Sequence, residues 1–173
     1  MINTRIRSGA LLVGIGLGLF AERVVFGELL QWHGMLSAAV AQDSVDGLRV
    51  SLAADGMFGA VAWLLLAAGV AALWSAFGRP GTLPATRAFA GYLLQGWGWY
   101  NLVEGIINHH FLQLHHVRDL PQHVPALDWA YLLVGGAGFI ALGIVLSRKK
   151  AERSIGDRRA GYERRGTGPM LER

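Results

Sequence analysis

The chain has 173 residues, 53% of them hydrophobic and only 16% charged, against roughly 25% charged in an ordinary soluble domain. That composition excludes a disordered chain and a coiled coil. The absence of cysteine excludes a disulfide scaffold, a thiolate metal site and a cysteine nucleophile. Nor is the net charge of +4 a nucleic-acid signal, because nine of the 16 Lys and Arg lie in residues 148–173 and the rest of the chain is nearly balanced.

A helix needs about 20 apolar residues to cross the hydrocarbon core. Four stretches qualify, at about residues 8–30, 53–77, 88–111 and 126–147. Each is continuous rather than alternating, so helices are expected over barrel strands. The expected fold is all-α: an integral-membrane four-helix bundle over residues 1–147, built of two antiparallel hairpins, with the lipid bilayer as its first partner. Gly91, Gly98 and Gly105 recur every seven residues on one face of the third helix, where small residues let another helix approach closely. The first stretch resembles a signal peptide, with Ala39-Val40-Ala41 as its cleavage site. Its length and the polar residues between Glu22 and His33 make it an uncleaved span instead.

Arg5 and Arg7, Arg79 and Arg87, and Arg148-Lys149-Lys150 mark one side of the membrane. The opposite loops carry only Arg49 and Arg118, beside Asp43, Asp46 and Asp119. The positive-inside rule therefore places both termini, and the basic tail 148–173, in the cytoplasm. That tail lacks apolar periodicity and is expected to be disordered.

Charged groups at the centre of a bilayer cost about 2.5–3.5 kcal/mol each on the insertion scale, so each one needs a reason. Here they gather at one depth, toward the outer face. Glu22, Arg23, Glu28 and His33 end the first helix, and Asp55 opens the second. Glu104, Asn108, His109, His110, His115 and His116 end the third, and Asp128 opens the fourth. On a helical wheel Trp97, Asn101, Glu104, Asn108 and His115 share a face. Imidazole with carboxylate suits zinc, copper or iron. The candidate ligands are His109, His115, His116, Glu104, His33 and Asp55, supported by Glu22, Arg23, Asn101, Asn108 and Asp128. His110 points the other way, and His123, between two prolines, is expected to be exposed. Trp32, Trp97, Trp99, Trp129 and Tyr131 read as interface or packing aromatics.

Regular helix geometry sets limits on this cluster. Glu22 and His33, eleven residues apart, are separated by about 16 Å of rise and should not share one metal. His109 and His116 are about 10 Å apart along a regular helix and share an ion only if the helix breaks near Gln113. Arg23 is expected to neutralise Glu22 or Glu104.

Leu30-Gln31-Trp32-His33, Asp55-Gly56-Met57-Phe58, Asn101-Leu102-Val103-Glu104-Gly105 and Asn108-His109-His110 through His115-His116-Val117-Arg118 resemble a family of small bacterial membrane proteins of unknown function, domain of unknown function 2243. The resemblance covers about residues 9–147 and implies a four-helix protein of the bacterial inner membrane. It adds copper handling for respiratory enzymes as a hint. It also implies departures: Gly27, Gly34 and Gly59 stand where the family pattern has histidine.

Three function classes follow from these features. The first is a membrane protein that binds copper or zinc at the outer face. The second is a metal-free scaffold, or the partner subunit of a membrane protein or homo-oligomer, using its glycine-rich faces. The third is a membrane oxidoreductase with haem or a dimetal centre, against which the peripheral position of all six histidines counts. No serine lies in a nucleophile-elbow context, so binding is expected over catalysis.

Overall fold

A computed structural model describes residues 4–77 and 86–148; Arg79, Lys149, Lys150 and the basic tail lie outside them. Four helices and no strand occur among the described residues. Helix α1 runs Thr4–Leu29, α2 Val45–Phe77, and α4 Pro125–Arg148. Helix α3 is α-helical over Thr86–Glu104 and continues as a wider π-helical turn over Gly105–Phe111. The same widening closes α1 at Arg23–Leu29 and interrupts α4 at Tyr131–Gly138. Helix α2 starts before the apolar stretch that announced it. Ser44 Oγ accepts the Gly47 N–H, and the polar first turns carry Asp46 and Arg49.

Helices α1, α2 and α4 are each long and apolar enough to cross a membrane. On α2, Met57, Trp63, Leu64 and Trp74 are exposed, the surface of a helix that faces lipid rather than water. Helix α3 carries Gln95, Asn101, Glu104, Asn108 and His109, and packs against both α1 and α4. The expected small-residue face is where α4 docks: a Cβ on Gly91 would sit 2.7 Å from the Gly143 carbonyl, and one on Gly98 2.7 Å from that of Gly136.

The chain is a repeated helix pair. Residues of the first half find counterparts 82 positions on, as Glu22 does in Glu104 and His33 in His115. The helices cross at one such pair. A Cβ on Gly14 would meet the Leu93 carbonyl at 2.1 Å, and one on Gly96 would meet that of Leu11 at the same 2.1 Å. Gln31 and Gln113 both turn into the left-handed region, at φ 52° and 51°. Asp55 and Asp128 hold equivalent loops, accepting the Met35 and Val117 N–H groups, each at 2.8 Å. Past the π-helical turn of α4 the spacing lengthens by one residue: Gly69 faces Gly9 as Gly143 faces Gly91. One inserted residue is what such a turn accommodates. Contacts are reciprocal, and α1 and α3 run parallel, so an approximate two-fold runs along the helices.

Candidate metal centre

The two helix breaks decide which residues can meet. After the π-helical turns, Leu30 N–H reaches the Val25 carbonyl and Leu112 N–H that of Ile107. Trp32 N–H and Leu114 N–H then bond back to Phe26 and Asn108. The chain folds over the helix end instead of extending it. Glu22 Oε1 consequently lies 3.7 Å from His33 Nε2, which corrects the 16 Å separation a regular helix imposes. The break at Gln113 likewise brings the His109 and His116 rings to 6.3 Å between centroids.

Along the pseudo-two-fold, the carboxylates of Glu22 and Glu104 flank His115. Its Nε2 is 3.4 Å from Glu22 Oε1 and 3.0 Å from Glu104 Oε1. His109 Nε2 stands 3.4 Å from Glu104 Oε1. Glu22, Glu104, His109 and His115 each offer one donor atom, all within 4.8 Å of one another, and all four residues are buried. His33 adjoins this inner group, its ring 4.6 Å from that of His115. Backbone carbonyls orient these two rings by exchange between the halves: His33 Nδ1 faces Val117 O at 3.0 Å, and His115 Nδ1 faces Met35 O at 3.2 Å. With Nδ1 held by a carbonyl, Nε2 points to the centre, the orientation a metal-binding imidazole needs.

Hydrogen bonding is unequal. Glu22 Oε2 accepts the hydroxyls of Tyr100 at 2.6 Å and Tyr131 at 2.9 Å, and Tyr131 also donates to Asn101 Oδ1 at 3.1 Å. Asn108 Nδ2 donates to Glu104 Oε1 at 3.3 Å, while Glu104 Oε2 has no hydrogen-bond partner. Both ring nitrogens of His109 are buried and equally without one. A buried polar atom left without a partner costs about 1–3 kcal/mol, and Glu104 Oε2 and the His109 nitrogens are such atoms.

Burial alone would depress the His115 pKa, but Glu104 and Glu22 outweigh it and raise it to about 10. His33, equally enclosed, goes the other way: burial and its neighbour His115 lower its pKa.

A second group lies further out. Asp128 Oδ2 is 3.1 Å from His116 Nδ1 and 2.8 Å from His123 Nε2, and Asp128 Oδ1 is 3.5 Å from His109 Nδ1. His123 therefore belongs to the cluster, although it reads from sequence as a loop residue. Proline-flanked position gave no signal for it, and only the fold over the helix end brings it in. Tyr131, read as an interface or packing aromatic, and Tyr100, which carried no signal in the sequence, both hold Glu22. Trp97 packs edge-on against Phe139, whereas Trp99 and Trp129 are exposed. His110 lies outside both groups, with Nδ1 on the Gly105 carbonyl and its ring against Trp129.

Arg23 departs from expectation. It pairs with neither Glu22 nor Glu104, but with Glu28 and, at 3.1 Å, with Asp55. Arg23 directly follows Glu22 and opens the π-helical turn, so its side chain is directed away from Glu22, to Glu28 and Asp55. Asp55 is accordingly held away from the inner group, between the Arg23 guanidinium and the Met35 N–H.

An all-helical chain with lipid-facing apolar helices around a buried carboxylate–imidazole cluster defines a class: a helical membrane protein with a polar core at one end. Within that class, residues 9–150 match the model of the family described as predicted membrane protein (DUF2243), and the chain belongs to it. No curated protein and no solved structure matches the chain.

Proposed function

We propose that this protein binds a divalent transition metal, zinc or copper(II), at the inner group, with His109, His115, Glu22 and Glu104 as ligands and His33 as their reserve. The carrying observation is the convergence of two carboxylates and two imidazoles on one buried point, with His109 and Glu104 Oε2 unpartnered. Nitrogen and oxygen donors without thiolate or thioether favour zinc or copper(II) over copper(I). Bound metal would discharge two buried carboxylates that otherwise rely on one imidazolium. The His33 and His115 rings, 4.6 Å apart, leave no slot for a haem between them. In this reading all four helices cross the bacterial inner membrane with both termini cytoplasmic. The site then opens outward, in keeping with copper handling for respiratory enzymes.

Elemental analysis after detergent purification and thermal unfolding test the metal. Zinc or copper should raise the melting temperature of metal-free protein, because binding free energy adds to folding free energy. The gain should shrink in His115→Ala and Glu104→Gln. No shift in folded protein favours a metal-free scaffold. Cysteines placed at Gln122 and Glu163 should be labelled from opposite sides of the membrane, and labelling of both from one side overturns the topology.

One observation favours the oxidoreductase reading as the second choice. A cavity of about 360 Å³, lined by Ile15, Phe58, Trp99 and Val103, ends at Glu104 and Asn108. It would seat an apolar substrate beside the ligands. Retention of such a compound by the metal-loaded protein, lost when Val103→Trp fills the cavity, is the test.

A further inference from the structure

The outer group has a counterpart in the first half, and the counterpart contains a cation. Asp55 corresponds to Asp128, since each accepts the N–H two residues past an equivalent histidine, His33 or His115. By the same register Gly27 corresponds to His109, Gly34 to His116, and Arg23 to Gly105. Around Asp55 the two histidine positions are glycine, and the freed space is taken by Arg23. A Cβ on Gly27 would sit 3.0 Å from Arg23 Nη1, and the guanidinium lies 3.1 Å from Asp55 Oδ1. Around Asp128 there is no arginine, and three imidazoles crowd the carboxylate instead. One half of the repeat thus supplies its own positive charge, and the other supplies only donor atoms.

We propose that His116, His123 and Asp128 form a second, outer site for a divalent transition metal, at the position equivalent to the Arg23 guanidinium. Two imidazole nitrogens converge on one carboxylate oxygen, at 3.1 Å and 2.8 Å. Donors on a tetrahedral zinc with bonds of about 2.0–2.1 Å stand about 3.3 Å apart, so an ion enters with shifts of a few tenths of an ångström. One ligand atom each from His116, His123 and Asp128 lies within 4.8 Å of the others, and the two rings stack at 3.8 Å, so small ring rotations would aim both nitrogens at an ion. His116 Nδ1 is buried without a hydrogen-bond partner. The wall toward the inner group is His109, 2% exposed, whose equally unpartnered Nδ1 faces Asp128 Oδ1 at 3.5 Å. His123 is 40% exposed and leaves the fourth position open to solvent, so metal reaches this site first. Its three ligands are separate from the four of the inner group, and the two sites stand or fall independently.

Zinc titration of the full chain in detergent, with bound ions counted by elemental analysis, tests this. The parent should bind two ions, and His123→Ala and His116→Ala one each. The double variant Glu104→Gln/His115→Ala should keep the outer ion. His123→Ala is the decisive variant, because its ring is partly exposed and the fold should survive the loss of its hydrogen bond to Asp128. Two ions retained in His123→Ala overturn the outer site. So does a single parent ion that survives His123→Ala and disappears with the inner variant, an outcome that leaves the inner reading intact. A single ion lost in His123→Ala but kept in the inner variant establishes the outer site and removes the inner one. Absence of any bound zinc in folded parent protein overturns both.

Discussion

Asp55 and Asp128 accept equivalent backbone N–H groups, yet one faces a guanidinium and the other a fan of imidazoles. The backbone of the two halves is the same; the source of positive charge is not. In the first half the cation is covalently part of the chain, permanently charged and fixed in number. In the second, imidazoles stand around the carboxylate where the first half has its guanidinium. The same loop-anchoring carboxylate is therefore present in both halves, while its charged and polar neighbours differ.

The largest expected effect comes from making the halves alike. Arg23→Gly with Gly27→His and Gly34→His reproduces the second-half pattern around Asp55, and should add about one bound zinc per chain by elemental analysis. An unchanged count would mean that residue identity at these positions does not set binding. Next, Asp55→Asn removes one of the two carboxylates on a guanidinium that is 21% exposed, leaving Glu28, and should destabilise the metal-free protein by about 1.5–3 kcal/mol in denaturant unfolding. Asp128→Asn faces imidazoles and no guanidinium, and should cost about 1–2 kcal/mol. Equal losses would break the distinction.

The paired histidines differ in pH response. The His115 pKa is raised from 6.5 to about 10, so its contribution to stability is complete below pH 6.5 and is lost as pH rises toward 10. His33, lowered from 6.5, acts in the opposite sense and weakens the fold only as pH falls below that value. Metal-free protein should thus lose stability between pH 7 and about pH 10, and His115→Asn should flatten that slope. The smallest effect concerns Glu22 and Glu104. Tyr131→Phe should cost about 1.5 kcal/mol by removing a hydroxyl from Glu22 Oε2. Its counterpart Phe58 borders the cavity at Glu104, and Phe58→Tyr should recover a few tenths of a kcal/mol by reaching the unpartnered Oε2.

Much of the scaffold was legible because hydrocarbon thickness writes itself as apolar length. The gathering of Glu22, Glu104, His109 and His115 at one depth was legible for the same reason. What a helical wheel misplaces is everything past Leu29 and Phe111, because it assumes that the helix continues. The repeat left a trace in Glu22-x7-Leu30-Gln31-x-His33 against Glu104-x7-Leu112-Gln113-x-His115. It is faint because the flanking residues diverge and the extra residue in α4 breaks the register. Arg23 went to Asp55 rather than Glu22 because sequence proximity says nothing about direction around a widened turn.

Helix α3 packs against both α1 and α4, and it is the helix whose composition least suits lipid. With all four helices spanning, this bears on biosynthesis. A segment carrying Gln95, Asn101, Glu104 and Asn108 partitions poorly into bilayer alone, since each polar group must find a partner there. Its glycine face is complementary to α4, whose Gly136 and Gly143 it meets. In the proposed four-span topology the second hairpin would enter the membrane as a pair, with the residues of the polar core committed only when α4 has been synthesised and α1 is in place.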